Sequence, residues 1–323
     1  VPDFLERLGV EIPVVQAGMG GGIAPHGLAV AVAEAGGLGQ IGMQAPEAFR
    51  AGLQEARRLT AKPIAVNVIV PLAQRVDWEI ASEADAVVTH WEGSPRRRTA
   101  KPWIHTVGSP EEARTAVAAG ADAVIAQGIE AGGHVRGKVS AMDLLERVKA
   151  AVPPDYPVLL AGGVAERADV ERALEAGAVA AVAGTRFVAT PESGAHPGYK
   201  ERVVEGSSTL LTELFGLGWA RAPHRVLPNE TTRRWLAKNV RGPAHVRALH
   251  TALGPVAHRI PTRIRDRFAT RNSAGPLDLT PGPPSEGMSD ETLETHPLYA
   301  GETVARVNDI RPAAEIVREL TPH

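Results

Sequence analysis

The densest concentration of groups that could do chemistry is Gln127-Gly128-Ile129-Glu130-Ala131-Gly132-Gly133-His134-Val135-Arg136-Gly137. It directly follows Ala123-Val124-Ile125-Ala126, a short apolar run of the kind that forms a strand buried on both faces. A buried strand that ends in a glycine-rich segment with one imidazole has the form of an active-site loop on an α/β scaffold. Glycine lets backbone come close to a ligand, and His134 supplies a group that titrates near neutral pH. The plain alternative is that the glycines only turn the chain and His134 lies on the surface. His90 and His105 also fall at or just beyond strand ends, so three imidazoles could serve a metal-dependent hydrolase. That chemistry calls for a carboxylate ligand on another strand end, and none is evident. No metal ligand set is therefore assigned.

Two further glycine-bearing segments follow apolar runs: Ala161-Gly162-Gly163-Val164 and Ala183-Gly184-Thr185-Arg186-Phe187. If these are the loops after the seventh and eighth strands of a barrel, they stand where barrels often hold a ligand phosphate. Gly163 permits close approach and Thr185 adds a hydroxyl donor; Val182 and Ala183 lead into the second loop. A phosphate there implies a phosphorylated ligand, of which flavin mononucleotide (FMN) is the common one. Near the front, Gln16-Ala17-Gly18-Met19-Gly20-Gly21-Gly22 would let backbone pass over a flat ring. Asn67 is a polar residue inside Ala65-Val66-Asn67-Val68-Ile69, and a buried amide needs partners that a ring edge or a structural contact would supply. Gly37-Leu38-Gly39-Gln40-Ile41-Gly42 matches the dinucleotide fingerprint but lacks its context. A helix precedes it and a strand runs through it, so Gly36-Gly37 reads as a helix C-cap.

These segments need a scaffold, and the chain up to about residue 206 alternates short β-like runs with amphipathic helical stretches. The strand candidates are 13–17, 38–41, 64–70, 86–90, 103–107, 123–126, 158–161 and 179–183. Ser109-Pro110-Glu111-Glu112 signals a helix start, Gly120 a stop, and Ser140-Ala141-Met142-Asp143 a second start. Eight β/α units predict a (β/α)8 barrel, with an open doubly wound sheet as the alternative. The unit between His90 and Trp103 is too short for a helix of more than one turn, so the fourth helix is nearly missing. The expected division is a barrel over 1–206 and a mainly helical region over 207–323 that covers one mouth. Helices are expected near 230–239, 243–253 and 312–320, with a Gly/Pro/Ser-rich loop at 272–287.

The 323 residues suit one barrel, and the absence of cysteine excludes disulfides, thiolate metal sites and thiol nucleophiles. It also fits a cytoplasmic setting. The first residues are neither a signal nor a transit peptide, and no apolar run approaches a membrane span. A net charge of −2 gives no field directed at nucleic acid. Residues 221–271, however, carry twelve Lys/Arg against Glu230 and Asp266, with only Trp235 and Phe268 as aromatics. That is a solvated helical cover or a basic patch for an anion, and not the pattern of a nucleic-acid binder.

The segments 13–19, 35–42, 63–67, 127–134, 157–164 and 184–200 resemble, in order, the nitronate monooxygenase family, FMN-dependent (β/α)8 barrels. The resemblance implies Met19 and Asn67 at the isoalloxazine ring and Gln127 at its polar edge. It places Gly132, Gly163, Gly184 and Thr185 on the phosphate side and His134 on the active-site histidine. The implied reaction is oxidation of alkyl nitronates with O2 to a carbonyl compound and nitrite. Rivals on the same fold, an enoyl-acyl-carrier-protein reductase or a quinone reductase, need NAD(P)H; Arg96-Arg97-Arg98 could meet a 2′-phosphate. A flavin-binding module without turnover is a further alternative. Three departures stand out: Gly18 where many members have Pro, the missing helix, and Glu302 in Leu298-Tyr299-Ala300-Gly301-Glu302 where Gln is usual. The missing helix would thin the wall beside the cofactor, to be left open or closed by a partner subunit in a homo-oligomer.

Overall fold

The computed structural model describes residues 4–91, 96–216, 219, 221–257, 279 and 281–323. Eight parallel strands form its centre: β1 (Val14–Gln16), β2 (Gly39–Ile41), β3 (Ile64–Ile69), β4 (Ala86–His90), β5 (Trp103–Val107), β6 (Ala123–Gln127), β7 (Val158–Ala161) and β8 (Ala180–Ala183). They pair in the order β1-β8-β7-β6-β5-β4-β3-β2, and a parallel bridge from Val15 to Leu38 joins the two ends. The sheet is a barrel, not an open doubly wound sheet. Every expected strand is present, with ends displaced by one residue at most.

Alternation along each strand sorts the apolar side chains into two cores. Val15, Leu38, Ala65, Val88, Ile104, Ile125, Leu159 and Val182 fill the interior, joined by Phe4, Leu5 and Val10 from ahead of β1. Val14, Trp103, Val107, Val124, Ala126 and Val158 point outward and pack against the helices. Those helices begin where the sequence signals them. Ser109 Oγ accepts the amide of Glu112, and Ser140 Oγ accepts the amide of Asp143, which satisfies N–H groups that have no partner within the helix.

Two units of the ring are irregular. No helix separates β4 from β5 among the described residues, in agreement with the short spacing. That side is closed by side chains instead. The outward Trp103 indole donates to Thr89 Oγ1 at 2.7 Å, and Thr89 Oγ1 lies 2.7 Å from His105 Nδ1, all three buried. Arg97 lies over Trp103 and pairs with Asp122, while Arg98 lies over Trp78. These two arginines brace the wall, so the structure gives no support to a 2′-phosphate site on them. Directly after β8 the chain makes a one-turn helix, Thr185–Val188, and the next helix, Pro197–Glu205, packs with Leu298, Ala300 and Val304 rather than on the ring. The place of an eighth helix is taken by Ala313–Leu320, which packs on His26–Glu34 and Arg167–Glu175 and buries Ala313, Ile316, Val317 and Leu320 in the outer core.

The segment after residue 206 holds helices Glu230–Leu236 and Ala244–Ala257, as the sequence implies. It also contributes a feature the sequence reading lacks. Leu210–Thr212 and His224–Val226 form an antiparallel ribbon, and His224–Val226 pairs in turn with Gly133–His134. The basic stretch beyond 257 and half of the Gly/Pro/Ser-rich loop lie outside the described residues. No helix among those described is long and apolar enough to cross a membrane.

Because Ile316 is fully buried in the outer core, Ile316→Ala should cost the whole barrel about 2–5 kcal/mol. Urea unfolding followed by circular dichroism would read this as one shifted transition. A separate early transition would mean that the last helix unfolds independently of the barrel.

Candidate active site

A cavity of about 740 Å³ opens at the C-terminal ends of the strands, the face on which barrel chemistry occurs. Gly18, Met19, Asn67, Gln127, Gly132, His134, Gly163, Val182, Gly184 and Thr185 all line it. Ala183 does not: its side chain alternates outward into the helix-facing core.

On the floor, Asn67 extends from β3 and Gln40 from β2. Asn67 Nδ2 and Gln40 Oε1 are both buried without a hydrogen-bond partner. They lie close together, because a Cβ placed on Gly18 would meet Asn67 Cβ at 2.2 Å and Gln40 Oε1 at 3.1 Å. Only glycine lets this loop pass Asn67 so closely, which accounts for Gly18 in place of proline. A buried donor and acceptor left unsatisfied side by side are costly unless a ligand edge completes them. Around them the floor is apolar, with Met19, Val88, Ile125 and Val182.

The loops after β7 and β8 form one side. Gly162 and Gly163 have φ of 108° and 80°, and nothing lies within 4 Å of a Cβ position on Gly163, which leaves its backbone open to the cavity. Arg306 anchors this loop by donating to Gly163 O at 2.8 Å and to Asp169 Oδ2 at 2.8 Å. Thr185 Oγ1 accepts the amide of Gly301 at 2.8 Å, so its own proton stays free to donate.

His134 faces the floor from the outer ribbon. Gln127 sets its position: the amide donates to His134 O at 3.2 Å and accepts from the Arg136 amide at 2.8 Å. The expected role of Gln127 at a ring edge is thus joined to a bracing role, with one N–H and one acceptor lone pair to spare. The imidazole stacks on Trp219 at 3.9 Å, with Trp91 at 5.9 Å, Tyr299 at 5.6 Å and His224 at 5.1 Å. Nε2 has no partner. Burial, and then the neighbouring His224 and His90, hold His134 well below the usual histidine range. The expectation of a titration near pH 7 is corrected here. Removal from water disfavours the imidazolium, so the ring is neutral across the physiological range.

His90 lines the same cavity, but His105 does not. It sits on the outward face of β5, bonded to Thr89. Among the described residues no three metal-ligating side chains converge, so the hydrolase alternative lacks its donor set. The sequence reading also missed Gln40, Trp91, Trp219 and Tyr299 as lining residues. Trp91 could have been noticed, as an aromatic just past a strand end; it adopts φ 68°, rare for a bulky residue. Trp219 and Tyr299 carry no local signal.

An α/β barrel with a deep cavity at the C-terminal ends of its strands has the layout of a barrel enzyme. The pattern of the nitronate monooxygenase family matches residues 3–103 and 96–323, and the chain belongs to that family of oxidoreductases. It is 34% identical over 267 residues to a nitronate monooxygenase of Pseudomonas aeruginosa, covering 65% of this chain and 75% of that protein. It is 28% identical to a (3aS,4S,5R,7aS)-5-hydroxy-7a-methyl-1-oxo-octahydro-1H-indene-4-carboxyl-CoA dehydrogenase of Mycobacterium tuberculosis, over 98% of this chain and 93% of that one. Among solved structures, FabK from Thermotoga maritima superposes with a TM-score of 0.75 at 29% identity, covering 99% and 95% of the two chains. A nitroalkane oxidase from Streptomyces ansochromogenes gives 0.74 at 28%, covering 97% and 95%.

The buried histidines set an acid limit. Burial lowers His90 and His224 to about 4, and lowers His134 well below its ordinary value. Each is neutral when folded, whereas the unfolded chain takes up the proton near 6.5. Stability is therefore intact above pH 6.5 and falls as the pH drops toward 4. For His224, wholly buried, the change from 6.5 to about 4 corresponds to roughly 3 kcal/mol. Urea unfolding at a series of pH values should trace this loss, and His224→Gln should flatten it. Stability that is level from pH 7.5 to 4.5 would contradict the burial argument.

Proposed function

We propose that the protein is an FMN-dependent oxidoreductase that oxidises alkyl nitronates with O2 to a carbonyl compound and nitrite. The observation that carries the flavin reading is the unsatisfied pair on the floor. Asn67 Nδ2 and Gln40 Oε1 offer one donor and one acceptor to the edge of a flat heteroaromatic ring, and the apolar floor fits the ring face. Gly163, Gly184 and Thr185 would hold the phosphate through backbone N–H groups and one hydroxyl. When bound, the flavin supplies the two-electron chemistry and its reoxidation by O2.

His134 faces this floor from above. With its proton on Nδ1, Nε2 presents a lone pair to the α-carbon of a neutral nitroalkane and takes the α-proton, leaving the nitronate anion. A depressed pKa makes His134 a weaker base than free imidazole, but one present in its basic form at every working pH. Trp91, Trp219 and Tyr299 keep water from the imidazole and orient it.

A second reading has support of its own. A relative matched over 98% of the chain is named as an indene-carboxyl-CoA dehydrogenase. Anaerobic mixing with a nitronate, an acyl-CoA thioester and NADPH in turn distinguishes the donors. The one that bleaches the flavin is the reductant class, and bleaching by the thioester alone would displace the nitronate reading.

Gly18→Ala should displace Asn67, and Thr185→Val removes a donor to the phosphate; each should weaken FMN binding by about ten- to a hundredfold. Dialysis against dilute FMN with fluorescence detection measures it. Unchanged affinity in both variants would place the flavin elsewhere, and protein without bound flavin would end the reading.

His134→Asn should lower the rate on a neutral nitroalkane by about 10²–10⁴-fold and the rate on the preformed nitronate far less. The wild-type rate on the nitroalkane should also stay level between pH 6 and 8. Flavin content must be measured alongside. Equal losses on both substrates would make His134 an orienting group and not a base.

A further inference from the structure

Beside the main cavity lies a second concavity of about 330 Å³, lined by Glu213, Trp219, Arg221, Arg241, Arg247 and His250, among others. Trp219 lines both. It is therefore the partition between this basic recess and the imidazole of His134, on which it stacks at 3.9 Å. Three guanidinium groups stand here against one carboxylate. Glu213 is taken by Arg241, at 2.5 Å. Arg221 and Arg247 have no hydrogen bond or ion pair from their side chains among the described residues, and Arg247 Nε is buried without a partner. His250, 2% exposed, donates Nε2–H to Leu214 O at 3.0 Å and leaves Nδ1 unsatisfied in the wall. Burial lowers its pKa from the usual value; an anion in the recess would favour the protonated ring and give Nδ1 a proton to donate.

Unpaired arginines facing a solvent cleft are an arrangement suited to phosphate groups, which guanidinium meets with paired, charge-assisted hydrogen bonds. We propose that this recess binds the phosphorylated adenosine end of a carrier-borne reactant whose reactive end passes Trp219 to reach His134. Two carriers share that chemistry, a coenzyme A thioester and a 2′-phosphorylated nicotinamide dinucleotide. The proposal extends the second reading above, and rests on it only for what is delivered to His134. The local charge fits: over the described residues 221–257, seven basic residues against Glu230 add a field that attracts a polyanion.

The test is equilibrium binding without turnover, by calorimetry on the purified flavin-loaded protein, with coenzyme A, NADPH, NADH and inorganic phosphate as probes. The expected result is that coenzyme A or NADPH binds, that inorganic phosphate competes, and that affinity falls as salt rises. Arg221→Ala, an exposed residue whose loss leaves no buried group unpaired, should weaken binding severalfold; Arg221→Ala with Arg247→Ala should weaken it by about ten- to a hundredfold. Loss restricted to coenzyme A identifies a thioester carrier, and a preference for NADPH over NADH that the substitutions erase identifies the dinucleotide. Binding of both no tighter than inorganic phosphate, or affinities untouched by Arg221→Ala and by the double variant, would overturn the proposal. The measurement requires no flavin chemistry, so a protein that fails to oxidise nitronates can still pass it.

Discussion

His134 faces the floor because a two-residue strand, Gly133–His134, pairs with His224–Val226 from far down the chain. A glycine-rich loop has little to hold it in one place, and this pairing supplies what the loop's own composition withholds. A buried arginine reinforces it. Arg225 donates twice to Ile129 O and pairs with Glu302 at 2.9 Å, while the Glu302 amide donates to Glu130 O. The loop, the ribbon and the 301–302 turn are thereby one unit. The carboxylate at 302, where the resemblance implies an amide, answers the charge of Arg225. A guanidinium with so little exposure has a strong need for a counter-charge.

The same unit sets the electrostatics above the floor. Trp91, Trp219 and Tyr299 come from three separate segments and enclose the imidazole away from water. Dehydration therefore sets the protonation state of His134, and the neighbouring His90 and His224 push in the same direction. His224 is itself fixed as a neutral ring, donating through Nδ1 to Ala222 O and accepting the Phe215 amide at Nε2. The cluster carries three imidazoles and no charge at neutral pH. Near such a site, the strongest fields available to a ligand come from groups outside the cluster.

Much of this was legible in the sequence, and the limits have a physical pattern. Strands of a closed parallel sheet are buried on both faces, so each stands out as an apolar run between turn signals, and all eight were found. Caps at Ser109 and Ser140 are local contacts, read from residues three apart. The floor of the site was legible because barrel geometry fixes which loops converge, so Gly18, Asn67, Gly163 and Thr185 could be assembled from their strand numbers alone. Ala183, grouped with the second loop, turns its side chain to the outer core by the same alternation. The pairing of Gly133–His134 with His224–Val226 joins two short segments distant in the chain, and neither has a periodicity long enough to register. The eighth helix fails similarly: Ala313–Leu320 was recognisable as a helix, but its docking between the first and seventh helices of the ring depends on the one-turn helix after β8 leaving that place open. His105 was misread because a strand-end position does not state the face.

The missing fourth helix bears on how the site closes. An absent crossover helix could leave the wall beside the cavity thin, yet the outward side of β4 and β5 is sealed by Thr89, Trp103 and His105 in a buried polar contact, with Arg97 across it. Side chains of the strands themselves do what the helix does elsewhere, and the enclosure of that wall does not call for a second subunit. The cavity is consequently bounded below by rigid strand ends and above by segments from the far end of the chain. Under the proposed reading the two halves have different tasks: the strand ends hold a cofactor whose shape is fixed, and the upper segments meet whatever reacts with it. Identities of 28–34% to relatives named for different substrates fit that division. A barrel floor can remain constant while the roof is rebuilt, since loops tolerate change that a close-packed sheet does not. In this chain the roof carries unpaired arginines on the far side of Trp219 from His134, in the portion least constrained by the fold.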